Sequence, residues 1–472
     1  MFDRIFRLSE NQTTVRTELA AGLTTFLTMA YIIFVQPAVL SGQMFGKPTG
    51  MDFGAVMTAT CLATALATAI MGLYARYPIA QAPGMGENFF FVFSLLPAAA
   101  AVAGPGSSDW QVGLGVIFFS GLLFLALSLL GVREALLDSI SPSMRNGIAV
   151  GIGLFIAFIG LRSAGLIQQD PRATLKLNPH FASPDLVVFF VGLLVTASLQ
   201  ARRVRGAIIW GVLAGLLLAL ALRYGLPYWP EAAQSKLVTQ SVLFERFHMA
   251  DSIVAAPPSL GPTLAKLDWR AALTWPMIPF VLIFLFMNLF DTLGTLIGVG
   301  EQAGFIKDDK LPRAREALVS DAVATTVGSV LGTSTVTSFI ESAAGVERGG
   351  RTGLTAVTVA VLFLLALFFS PLVAMVGSYP PITAPALVVV GSMMIQNVTK
   401  LHWSNYAEAM PAFLIIIGIP LSFSIADGLA LGFIAYPLVK LAAGQGRDVK
   451  PLMYLIAAML VAYFVFVRVL AG

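Results

Sequence analysis

The chain has 472 residues, of which 57% are hydrophobic and only 11% charged, with a mean hydropathy of +0.84. Soluble domains carry roughly one quarter charged residues, so a water-soluble globule is excluded. The net charge of +4 requires no nucleic-acid partner, because basic loops on one side of a membrane account for it. Cys61 is the single cysteine, which excludes an intrachain disulfide and offers no metal cluster.

The N-terminal stretch, MFDRIFRLSENQTTVRTE, is polar and lacks an apolar run followed by a small-residue cleavage site. It reads as a cytoplasmic lead-in, not a cleaved signal. Crossing a bilayer takes ~20 apolar residues in a helix. Such stretches fall at 17–40, 53–74, 79–99, 111–131, 143–163, 185–201 and 206–225 (spans 1 to 7). A polar interruption covers 226–270. Spans 8 to 14 follow at 271–299, 316–331, 333–348, 352–376, 382–398, 406–422 and 425–442, with a fifteenth stretch at 451–470. Most of the 29 Lys and Arg residues, among them Arg202, Arg203, Arg205, Arg313 and Arg315, lie in segments that are cytoplasmic if the N-terminus is. The positive-inside rule therefore predicts a cytoplasmic N-terminus; the cell (inner) membrane is the expected location.

Two spans are interrupted. Span 3 opens with QAPGMGENFFF (Gln81–Phe91) and span 10 with GTSTVTSFIES (Gly332–Ser342). Each is the third member of a set of seven, and seven is odd, so the second copy enters the membrane from the opposite side. Interrupted segments at matching positions of two halves point to a transporter's midplane site in an inverted repeat. Backbone that breaks helical form at that depth survives only when buried in protein or lining a cavity.

The polar residues in these spans are the candidate site. Glu341 sits in Ser338-x-x-Glu341, the spacing of a capping box. It is equally placed to accept hydrogen bonds from a ligand, in a half-helix beginning near Ser338, and the two readings are compatible. In span 8, Asn288, Asp291, Thr292, Thr295 and Gly298 recur at three- and four-residue steps and form one polar stripe. Interhelical hydrogen bonding explains the threonines and Asn288. It does not explain Asp291, since a mid-membrane carboxylate costs ~2.5–3.5 kcal/mol on insertion scales. In span 3, Asn88 offers donor and acceptor, Glu87 is a second acidic residue at a half-helix start, and Phe89 to Phe91 offer a flat face or simply packing. Thr24, Thr25, Thr28 and Tyr31 share a face of span 1 and read mainly as packing. His180, His248 and His402 fall in loops, so an intramembrane histidine relay is not expected. Asp321 and Asp427 lie near span ends, where a solvated role is expected.

Four stretches together carry a resemblance: Thr14–Pro37, Ala82–Phe91, Phe286–Val299 and Gly332–Ala356. They resemble the AzgA-like purine permeases, a branch of the xanthine/uracil permease superfamily of nucleobase–cation symporters. The resemblance implies an all-α polytopic membrane protein of fourteen core spans in two inverted sevens, with short antiparallel strands in spans 3 and 10. It implies a core domain from 1–131 and 271–376 and a gate domain from 132–225 and 377–442. The connection 226–270 would be extracytoplasmic, and 443–472 an extra C-terminal span. By motif position it makes Asn88, Asp291 and Glu341 substrate-binding residues. Phe89 and Phe339 are expected beside the substrate, and Thr28, Asn288, Thr295 and Thr337 as supporting polar residues. The activity implied is proton-coupled import of adenine, guanine or hypoxanthine, with Asp291, Glu341 or Glu87 carrying the proton and sodium as the alternative coupling ion. No cofactor or metal is expected, and no enzymatic activity. Membrane lipid and a second copy in a homodimer are the expected partners. The chain departs from the family pattern at Gln81, Glu87 and Phe89, which add a carboxylate and a bulkier wall beside Asn88. Alternatives are an anion or xanthine/uracil carrier on the same fold, or a non-transporting purine sensor.

Overall fold

The computed structural model describes residues 2–130, 141–170, 174–228, 236–239, 241–305 and 311–462. Arg133, Lys307, Lys310 and the end of the expected fifteenth span lie outside them; its first part is the helix Pro451–Ala462. Among the described residues, nine helices are long and apolar enough to cross a membrane, from Val15–Leu40 to Pro380–Lys400. Met85–Ala100 and Tyr406–Ser422 are shorter apolar helices.

Caps and breakers set where the helices begin and end. Asp52 accepts from the Ala55 N–H at 2.7 Å to start span 2, and Ser141 accepts from Met144 at 3.2 Å to start span 5. Span 9, Ala314–Leu331, ends at Gly332 with φ +106. A side chain there would meet the Thr263 Cβ at 2.2 Å, so both backbone and space demand glycine. Spans 2 and 11 touch through glycine: a Cβ on Gly353 would lie 1.8 Å from the Gly72 carbonyl. Close backbone approach of this kind is how membrane helices gain packing without a hydrophobic drive between them.

Two packed groups result. Spans 1 to 4 pack chiefly with spans 8 to 11, with span 9 against span 4, and span 11 against spans 1 and 2. Spans 5 to 7 pack with 12 to 14, with span 12 against spans 5, 6 and 7, and span 13 against spans 5 and 14. The polar connection runs from one group to the other. Asp185 accepts from Ser241 at 2.7 Å, the Val242 N–H at 3.1 Å and the Tyr379 hydroxyl at 2.5 Å. Farther on, Ala255 bonds Phe368 at 2.9 Å, Pro258 accepts from Thr58 at 2.9 Å, and Ala265 bonds Val330 at 2.7 Å. Asp268 then caps Trp269–Ala272; the N–H of Ala271 foremost holds its carboxyl below the ordinary range.

Three expectations are corrected. Asp321 is wholly buried in the middle of span 9's packing, not solvated at a span end. Asp427 is likewise buried, in the first turn of Ile425–Ala442. Ser338 begins no helix: it ends a strand, and the helix that follows is Ser342–Glu347, with Glu341 at its N-cap and making no side-chain cap bond. The capping box is thereby excluded, because the glutamate precedes the helix instead of occupying its third position. A hairpin of Ile167–Asp170 and Thr174–Leu177, between spans 5 and 6, was not anticipated.

Candidate functional site

The two interrupted spans meet. Strand β1, Gln81–Pro83, pairs antiparallel with strand β2, Val336–Ser338, with Ala82 opposite Thr337. Their ladder continues as Gly84 N–H to Thr335 at 3.0 Å and Phe339 N–H to Ala80 at 2.9 Å. A two-stranded ladder leaves outer backbone groups unpaired, which is untenable at membrane depth. Hydroxyls from neighbouring helices complete it. Thr68 pairs both the N–H and the carbonyl of Gln81, at 2.9 and 3.0 Å. Thr325 does the same for Val336, at 3.1 and 2.9 Å. Asn288 donates to the Thr325 hydroxyl at 2.9 Å, which explains its place on the polar stripe.

Asp291 stands where this crossing faces open space. Its Oδ2 accepts from the Thr337 hydroxyl at 3.2 Å, and the residue is exposed. One turn on, a Cβ on Gly294 would meet nothing within 4 Å, and Ile297 is 47% exposed. Asp291, Gly294 and Ile297 thus lie on one unpacked face of span 8. Arg145, at the start of span 5, lies 5.9 Å over the Phe290 ring, so the second group of helices reaches span 8 next to Asp291. A carboxylate in contact with lipid would be strongly disfavoured; one lining a cleft between two helix groups is not.

Glu341 closes the other side. Its Oε1 accepts from the Tyr31 hydroxyl at 2.8 Å, and its backbone carbonyl accepts from Thr28 at 3.4 Å. It is half-buried, and Ile340 beside it is 46% exposed. Glu87 is buried at the start of Met85–Phe90, folded back over Gly84: a Cβ there would meet its Oε2 at 2.2 Å and the Thr337 methyl at 2.9 Å. Glu87, Asp321 and Glu341 all lie close enough to Asp291 to feel its charge.

Other predicted residues sit behind this surface. Asn88 is fully buried and its amide is engaged at both ends, donating to Gln36 and accepting from Ser334. Gln36 in turn donates to Thr333 and Ser334 at 3.0 Å each. Phe89 has no exposed surface and packs against Phe45, Phe93 and Phe155. Phe339 and Thr295 are buried near the crossing, at 5% and 6% exposure. Thr25, by contrast, packs where a Cβ on Gly345 would meet its hydroxyl at 2.1 Å, in keeping with a packing role. Sequence reasoning missed Gln36, Tyr31 as a partner of Glu341, and Asp321. The only signal for Gln36 was a lone amide in an apolar helix next to Pro37.

A helical membrane bundle whose two strand-interrupted spans cross beside buried carboxylates is a transporter architecture. The solved structures agree at the level of fold. The transmembrane domain of the cyanobacterial bicarbonate transporter BicA aligns with a TM-score of 0.60 at 14% identity, covering 88% of this chain and 97% of that one. SLC26A9 aligns at 0.61 and 9% identity, covering 93% and 68%. The Permease family model of the xanthine/uracil permeases matches residues 16–431, and the chain belongs to that family. Its relatives include the guanine/hypoxanthine permease PbuO of Bacillus subtilis (strain 168), 41% identical over 96% of this chain and 98% of that one. The adenine permease AdeP of Escherichia coli (strain K12) is 38% identical, covering 99% and 96%. These relatives are permeases, not enzymes.

Proposed function

We propose that this protein imports purine nucleobases of the adenine, guanine and hypoxanthine class by proton-coupled alternating access. The observation that carries the reading is the exposed Asp291 carboxylate, set deep in the membrane bundle at the strand crossing with Glu341 beside it. A purine is flat and carries both N–H donors and ring-nitrogen acceptors. Two carboxylates accept its N–H groups, and the Thr337 and Tyr31 hydroxyls hold those carboxylates in place. Asn88, engaged by Gln36 and Ser334, acts in this reading by fixing the strand crossing that shapes the site. Phe89 supports the floor from behind, and Phe339 lies within the wall. Asp291, Glu341 and Glu87 are the groups available to carry a proton.

The two packed groups of helices support a moving core, spans 1 to 4 and 8 to 11, against a gate, spans 5 to 7 and 12 to 14. The unpacked face of span 8 at Asp291 corresponds to an inward-facing state if the N-terminus is cytoplasmic, as the basic loops predict. A homodimer in the cell membrane completes the proposal. An anion carrier on the same fold is disfavoured, because anions seek basic groups and helix N-termini without competing carboxylates. The test is a thermal-shift screen of purified protein against purines, pyrimidines and inorganic anions, since a bound ligand stabilises the folded state by mass action. Stabilisation by purines alone is the expected result; stabilisation by bicarbonate or chloride and not by any purine would overturn the reading.

A further inference from the structure

The purine-binding reading gives Asp321 no role of its own, yet it is a fully buried carboxylate at membrane depth. Its Oδ1 accepts from the Gln81 amide at 3.1 Å, and its Oδ2 meets the Thr292 hydroxyl. With Asp321 ionised the Gln81 nitrogen must face it, because the amide oxygen there would set lone pair against lone pair; the Ser320 and Ser338 hydroxyls, at 3.0 and 3.3 Å, can serve as donor or acceptor to the amide. Oδ1 is therefore occupied as an acceptor and Oδ2 is the oxygen free to carry a proton.

From Oδ2 an unbroken line of oxygens leads to the cleft. Thr292 meets Asp321 at one side and Thr337 at 2.9 Å at the other, and Thr337 reaches Asp291 Oδ2 at 3.2 Å. These are three contacts, but a threonine hydroxyl owns a single proton, so two hydroxyls supply only two hydrogen bonds. With both carboxylates ionised, one of the three contacts sets lone pair against lone pair. One added proton completes the line, and it can do so from either end. On Asp291 it orders every hydroxyl toward Asp321; on Asp321 it orders them all toward Asp291.

The surroundings of Asp321 are acidic or neutral. Asp291 and Glu87 are the charged or titratable groups that face Asp321, from spans 8 and 3, and both are acidic. The hydrogen-bond partners of Asp321, Gln81 of span 3 and Thr292 of span 8, are neutral, and span 4 has no charged residue between Trp110 and Leu130. Among the described residues no Lys, Arg or His pairs with Asp321. A buried carboxylate without a cation is strongly disfavoured in its charged form.

We infer that Asp321 is the inner terminus of a one-proton wire, through which the coupling proton passes between Asp291 and a dry store behind the strand crossing. This deepens the proton-coupled reading and rests on it. A proton arriving from the cleft binds Asp291. Its O–H bond breaks as Thr337 takes that proton, Thr337 passes its own to Thr292, and Thr292 passes its own to Asp321 Oδ2. The negative charge moves the opposite way, so no net charge is created. Asp291 is left ionised to accept a purine N–H, and Asp321 is neutral in its dry surroundings. Proton and base thus bind together although the base never touches Asp321.

The test uses full-length protein in proteoliposomes, with radiolabelled hypoxanthine and a pH-sensitive dye sealed inside. Asp321→Asn, a permanently neutral mimic, keeps purine exchange across equal pH to within about threefold, the scale of one neutral hydrogen bond. It loses accumulation driven by a pH gradient, and it moves no proton per base. Thr292→Val breaks the wire with both carboxylates present and gives the same split, whereas Thr292→Ser restores coupling. Full coupling in folded Asp321→Asn or Thr292→Val overturns the wire, and so does loss of exchange together with accumulation. If Asp321→Asn does not fold, the Thr292→Val and Thr292→Ser pair decides alone. Wild-type protein that exchanges purine without moving protons overturns the proton-coupled reading itself, and the wire with it.

Discussion

Tyr31→Phe isolates one interaction at the site. The ring is 1% exposed and packed in the core, so removing only its hydroxyl keeps shape and burial. What is lost is the donor to Glu341 Oε1 at 2.8 Å. A hydrogen bond to a charged acceptor contributes about 1.5–3 kcal/mol. Glu341 is half-buried, so water in the cleft replaces part of that, and the low end of the range applies. About 1.4 kcal/mol corresponds to roughly tenfold in affinity. The bond is present without ligand, so its loss lowers the melting temperature, and reorienting the freed carboxylate on binding weakens the Kd for hypoxanthine, measured by calorimetry on purified protein, by up to about tenfold. A Kd within about twofold of wild type, alongside lost binding in Glu341→Gln, would refute the idea that Tyr31 sets the carboxylate's orientation.

Two further substitutions test the frame. Gly353→Ala places a methyl 1.8 Å from the Gly72 carbonyl, which must move, and overpacking of this kind costs about 1–3 kcal/mol. A lowered melting temperature in detergent is expected, read by intrinsic fluorescence. Thr325→Val strips the hydroxyl that pairs both backbone groups of Val336. Each buried group left unpaired costs about 1–3 kcal/mol, so Thr325→Val should destabilise more than Thr326→Val, whose hydroxyl bonds only its own helix.

Much of this was legible before any coordinates. The interruptions at Gln81–Phe91 and Gly332–Ser342 announced themselves because glycine, proline and clustered hydroxyls are expensive in a lipid-facing helix, and they pair as strands in the expected register region. Asp291 stood out for the same reason. Asp321 did not: five residues from the predicted start of span 9, it looked solvated, and only packing against spans 2 and 4 shows its true depth. Its link to Thr292 spans 29 positions and has no sequence signature. Ser338-x-x-Glu341 fitted a capping box by spacing alone, but the strand holds Ser338 extended, so the spacing never acts within a helix. The strand pair Ile167–Asp170 and Thr174–Leu177 was missed because IQQD and TLKL are too short to show an alternation. The contacts of the connection over 241–268 were not read from the sequence because they run largely through backbone, to which composition is blind.

The claim on which the account depends is that Asp291 and Glu341 hold the purine. The direct measurement is uptake of radiolabelled hypoxanthine and adenine by cells lacking their own purine permeases, comparing Asp291→Asn and Glu341→Gln with wild type at matched membrane expression. Uptake abolished in both variants, with insertion intact, is the predicted result. Wild-type uptake in both would contradict the site assignment.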